Sequence, residues 1–203
     1  MKLTENRSMA AMPQRPEPER PRESGPARSL LFLREEELRL AQDLLYFGYR
    51  DFTAGADRIL ADLGMGRAHH RVLHFVGRAP GMKVGELLAI LGITKQSLGR
   101  VLQPMIEQGY VRQDPGLKDK RQRLLRLTEK GEALERRLFE AQREWVLRAY
   151  REAGPEAVEG FRRVMRGLMG EEARAQFEAL ERQAAPGRTT PAFSPRPIER
   201  KSA

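Results

Sequence analysis

Two groups of side chains carry types and spacings suited to a polyanion. Thr94, Lys95, Gln96, Ser97 and Arg100 fall within seven residues. On the exposed end of a helix, Gln96 can pair in bidentate fashion with adenine, and Lys95 or Arg100 can address guanine. Thr94 and Ser97 suit phosphate oxygens, helped by a helix N-terminus. A second group, Lys118, Lys120, Arg121 and Arg123, surrounds Asp119. Cations on a narrow projection suit a minor groove, where a slender A·T tract concentrates negative potential. The competing readings are a solvated helix face and an ordinary exposed charge cluster. The surrounding pattern favours DNA in both cases.

A third group, His69, His70 and His74, is weaker. His70 and His74 lie one helical turn apart and share a face. That spacing can hold a metal or sense pH. No cysteine or acidic ligand adjoins it, so packing or interface histidines are the favoured reading. His70 and Arg71 are candidates for a ligand crevice or a phosphate contact. Tyr46, Phe47, Tyr49 and Phe52 read as helix core in preference to a ligand box. No phosphate loop, nucleophile elbow or metal-ligand run is present. The expectation is a non-enzyme with no cofactor and no metal.

The elements that must position these groups follow from periodicity and punctuation. Leu38, Ala41, Leu45, Tyr49, Phe52, Ala56, Ile59 and Leu63 recur at helical spacing, and Gly64 and Gly66 close that helix. A second helix is predicted over 67–78, ended by Pro80 and Gly81. Val84, Leu87, Leu88 and Leu91 outline a short third helix. After a turn at Gly92, Thr94 is placed to cap a fourth, with Leu98, Val101, Leu102 and Met105 inward and Gly109 at its end. Two short helices joined by a tight glycine turn form the helix-turn-helix pattern. Tyr110 to Asp114 and Leu124 to Thr128 read as a hairpin, the wing, turning at Pro115 and Gly116. Thr128 caps a long helix whose buried side is Leu134, Leu138, Ala141, Trp145 and Tyr150, broken at Gly154 and Pro155. A last helix carries Val158, Phe161, Met165, Leu168 and Met169, then Phe177 and Leu180.

The fold class is therefore mainly α with a small β-hairpin wing, a winged helix-turn-helix flanked by long N- and C-terminal helices. The organisation expected is a disordered tail (1–28), an N-terminal helix (29–66), the winged domain (67–128), C-terminal helices (129–183) and a second tail (184–203). Proline and charge dominate both tails. The net charge of +9 over 203 residues fits a nucleic acid or an anionic surface. With no cysteine there are no disulfides or thiolate sites. No apolar run approaches the ~18–20 residues that span a bilayer, and no secretory leader is evident. A cytoplasmic protein with no membrane partner is expected.

The order of elements and the run from Asp119 to Gly131 resemble the MarR family of bacterial regulators, over roughly residues 35–182. Asp119, Arg121, Leu125, Leu127, Thr128 and Gly131 match the family's wing motif, with Lys120 in place of an arginine. Within the family the sequence is most similar to an alphaproteobacterial subgroup. The resemblance implies a homodimer built from the first and last two helices, double-stranded DNA as partner, and in many members a small-molecule effector in a crevice between the two regions. It also implies that Asp119 orients a wing arginine. Three features depart from the pattern: extra residues around Gly116–Lys118, Lys83 where a threonine often caps the third helix, and Pro104 inside the recognition helix. The expected function is a sequence-specific transcriptional regulator on a palindromic or pseudo-palindromic operator. The rival is a basic winged-helix adaptor for a protein partner or an anionic membrane surface.

Overall fold

Apolar side chains at helical spacing fold into six helices among the described residues, which are 32–116 and 121–184 of this computed structural model. The helices are α1 (Glu35–Ala61), α2 (Arg67–Arg78), α3 (Val84–Leu91), α4 (Lys95–Glu107), α5 (Glu129–Leu168) and α6 (Glu171–Ala184). The strands are β1 (Met82–Lys83), β2 (Val111–Pro115) and β3 (Arg123–Leu127). The first predicted tail, the second from residue 185 onward, and Lys118, Asp119 and Lys120 lie outside the described residues.

The chain divides into two compact units, residues 1–47 and 48–203. The first contains the opening half of α1. Glu35, Glu36 and Glu37 occupy its first turn, where they complement the positive end of the helix. Leu38, Leu44, Leu45, Tyr46 and Phe47 are exposed there, and Tyr46 meets Phe47 edge-on at 5.3 Å.

The second unit holds the core. Leu60, Leu73, Leu87, Leu98, Met105, Val111, Leu125 and Leu138 are essentially inaccessible and come from α1 to α5 and both long strands. The three strands form an antiparallel sheet in the order β1-β3-β2. Val111 opposes Leu127 and Gln113 opposes Leu125, while Met82 pairs with Leu125 on the other edge. The strand period of two sends Leu125 and Leu127 inward.

The predicted spans of α2 and α3 coincide with those observed, and the wing strands shift by one residue. Three expectations need correction, and one element is new. β1 was not foreseen. Trp145 and Tyr150 are 43% and 36% exposed, so they do not line the core of the single chain. Tyr46, Phe47 and Tyr49 are likewise exposed and do not form helix core. The final helix is two: α5 ends at Leu168, and α6 starts at Glu171 beyond Gly170. Within α5, Gly154 departs from helical geometry with φ 79°, at the predicted break.

Candidate nucleic-acid interface

The α4 tip is built by a cap and a hydrophobic anchor. Thr94 adopts extended backbone geometry, and its hydroxyl oxygen accepts from the Ser97 N–H at 3.2 Å. The same hydroxyl donates to Ser97 Oγ at 3.0 Å. Leu98 is 1% exposed, and with Leu102 and Met105 it pins one face of α4 into the core. The opposite face turns Thr94, Lys95, Gln96, Ser97 and Arg100 to solvent. Donors and acceptors of both kinds thus stand on one helical end, joined to a rigid base.

Pro104 does not end α4, which continues to Glu107. Proline removes the donor to the Arg100 carbonyl, while the Pro104 carbonyl still accepts from the Gln108 N–H at 2.9 Å. The Lys83 side chain caps nothing, but Glu86 Oε2 accepts from the Lys83 N–H at 2.9 Å. The expected loss of a cap on α3 is thereby partly made good.

The C-terminal end of α4 is held more firmly than the sequence suggested. Gly109, at φ 74°, reverses the chain in the left-handed region that a Cβ disfavours. Three consecutive carbonyls then meet the first turn of α5. Lys130 Nζ donates to the Gln108 carbonyl at 2.8 Å and lies 4.1 Å from the centre of the Tyr110 ring. The Thr128 hydroxyl donates to the Gly109 carbonyl at 2.6 Å and accepts from the Gly131 N–H at 3.1 Å. The Thr128 N–H donates to the Tyr110 carbonyl at 3.1 Å. Gly131 packs so closely on that carbonyl that a Cβ would lie 2.0 Å from its oxygen.

In the wing, Arg121 and Arg123 are exposed. The Gly116 N–H donates to the Gln122 carbonyl at 3.0 Å, closing the strands toward the tip. Arg112 and Arg126 share Asp114, at 2.7 and 3.5 Å. This ion-pair group went unpredicted. Strand alternation would have found it, because 112, 114 and 126 fall on one sheet face in the observed register.

His70 and Arg71 lie elsewhere, at a cavity of about 360 Å³ that Tyr49, Phe52, His74 and Ile90 also line. Burial lowers the His70 pKa; nearby Asp57 opposes that shift and Arg71 adds to it. His70 and His74 share that cavity, and His69 does not line it. His69 Nδ1 accepts from the Gly66 N–H at 3.1 Å, and His74 meets Phe75 edge-on at 5.0 Å. Among the described residues no cluster of three His, Cys, Asp or Glu is arranged to hold a metal. No helix among them is long and apolar enough to cross a membrane.

Residues 63–122 match the family model described as MarR family. The chain is 50% identical over 153 residues to the HTH-type transcriptional regulator PetP of Rhodobacter capsulatus, covering 75% of this chain and 92% of that protein. Two solved structures share the fold. The crystal structure of MarR is 24% identical with a TM-score of 0.54, covering 68% of this chain and 93% of that one. Streptococcus pneumoniae FabT in complex with DNA is 16% identical with a TM-score of 0.57, covering 70% and 97%.

Proposed function

The chain belongs to the MarR family of transcriptional regulators, and on that premise we propose that it works as a homodimer reading a palindromic or pseudo-palindromic operator. The exposed polar end of α4 carries this reading. Its reverse face is anchored by Leu98, so the tip enters a major groove without unfolding anything behind it. Thr94, Ser97 and the helix N-terminus take phosphate, while Lys95, Gln96 and Arg100 face base edges. Arg121 and Arg123, with Lys118 and Lys120, reach the flanking minor groove, and Asp119 orients a wing cation. FabT, a structural neighbour, is a DNA-bound precedent for the fold.

Dimerisation is supported by apolar side chains left uncovered on the single chain. Trp145, Tyr150, Phe161, Val164 and Leu168 are exposed along α5, and Leu38, Leu44 and Leu45 along the start of α1. Soluble chains rarely expose that much aliphatic and aromatic surface without a partner. Two copies would set their α4 tips about one helical turn of DNA, ~34 Å, apart. The cavity beside His70 and Arg71 is the place for a small-molecule effector. Such a ligand acts only if it binds one spacing of the reading heads better than the other. On this reading the protein acts in the cytoplasm, with its DNA.

The test is fluorescence anisotropy against genomic fragments with excess nonspecific competitor. The expected result is a subset of fragments bound tightly, with affinity falling steeply as salt rises. Binding indifferent to sequence would favour the adaptor instead. Sedimentation of the full chain gives the dimer, and a monomer at micromolar concentration would refute that part.

A further inference from the structure

Behind the wing lies a second cavity, of about 290 Å³, which shares no lining residue with the one beside His70. Val76, Pro80 and Leu127 give it an apolar floor. A pair of arginines stands on one wall and carboxylates stand on the other.

The wing wall presents Arg112 and Arg126, which are register partners and stand side by side on the sheet. Like charges directly opposite one another destabilise a strand pair. Asp114 serves both, which leaves this wall one positive charge in excess. The other wall is α5, with Glu132, Glu135 and Arg136. Glu132 and Arg136 have the spacing at which helical ion pairs form. Among the described residues neither has an ion-pair partner.

We propose that this cleft binds a small aliphatic zwitterion of the α-amino-acid class. The carboxylate accepts from the forked guanidinium donors of Arg112 and Arg126. The ammonium donates to Glu132. The aliphatic body covers Val76, Pro80 and Leu127. The volume falls just under the ~300 Å³ at which drug-sized pockets begin, so it suits a single amino acid and not a peptide or nucleotide. A ligand held in this way bridges the wing strands and the start of α5, and so it restrains the wing.

Calorimetric titration of the full chain tests the proposal with L-leucine, its analogue without the ammonium, 4-methylpentanoate, and its analogue without the carboxylate, 3-methylbutylamine. Leucine should bind, and removing either charge should weaken binding by at least about tenfold. Glu132→Gln should weaken leucine and leave 4-methylpentanoate unaffected. Arg126→Gln should weaken both. Arg126 also lies where a Cβ at Gly81 would touch it, so Arg112→Gln serves as a second variant, with circular dichroism to establish that each variant folds. The proposal is overturned if leucine gives no heat up to roughly 10 mM, or if the three probes bind alike. It is also overturned if His70→Asn abolishes leucine binding while Arg112→Gln and Glu132→Gln do not. The titration contains no DNA, so a failure of operator reading would leave this result standing.

Discussion

Replacing Gly131 by alanine sets two effects of opposite sign against each other. Gly131 lies in the first turn of α5, where helix propensity alone predicts a gain of at most about 1 kcal/mol. The packing predicts a loss. The new Cβ would lie 2.0 Å from the Tyr110 carbonyl oxygen, 3.0 Å from its carbon and 3.3 Å from the Leu127 Cβ. The obstacle is backbone, which cannot rotate aside as a side-chain end can, so it must retreat by about 1 Å to reach a tolerable contact. That retreat pulls the Tyr110 carbonyl from the Thr128 N–H and disturbs the cap that Thr128 gives Gly131. A stranded backbone group costs about 1–3 kcal/mol and a lost cap about 1 kcal/mol. Net of propensity, Gly131→Ala should destabilise by about 1–3 kcal/mol. Urea unfolding followed by circular dichroism, at fixed protomer concentration, reads this as a midpoint lower by roughly 1 M. Gly85→Ala is the control: Gly85 is an exposed helical glycine with open space around it, and its midpoint should hold or rise. A Gly131→Ala midpoint equal to or above that of the parent would refute the close-approach argument.

Thr128→Val keeps the shape and removes both hydroxyl bonds, so unfolding should become easier by about 1–2 kcal/mol in the same assay. Arg121→Ala should weaken operator binding and reduce the slope of log affinity against log salt by about 0.9; an unchanged slope removes Arg121 from the DNA contacts. His70, with its lowered pKa, remains neutral in the fold at a pH where the unfolded chain takes up a proton. Its contribution is therefore intact above the ordinary histidine value of about 6.5 and is lost as pH falls from there toward the lowered folded value. Urea midpoints measured between neutral and mildly acidic pH should fall less for His70→Asn than for the parent.

The sequence was most legible where punctuation is strong. Pro80 with Gly81, and Gly92 before Thr94, bracket α3 and open α4, and those elements stand where periodicity put them. A two-residue strand such as β1 has no period to read. The division between α5 and α6 was missed because Gly170 alone is a weak break beside a continuing apolar pattern. Trp145 and Tyr150 fit a buried helical stripe equally well whether the cover is the same chain or another. The exposed residues of the α4 tip were legible because the buried Leu98 and Leu102 fix their phase. The Lys130 and Thr128 bonds to the end of α4 were not, since they join residues distant in sequence and depend on which carbonyls Gly109 turns outward. Gly131 did leave a signal: a glycine inside a helical run lowers helix stability and so points to a packing reason.

The three carbonyls that follow α4 also constrain how this region opens. Thr128 and Lys130 hold them, and Gly131 abuts the last. Local melting at the end of α4 must therefore release the beginning of α5 as well. The amide protons of Tyr110, Thr128 and Gly131 should exchange with deuterium as one cooperative group with a shared opening free energy. Fluctuations of the far end of α5, past Gly154, need not share that fate.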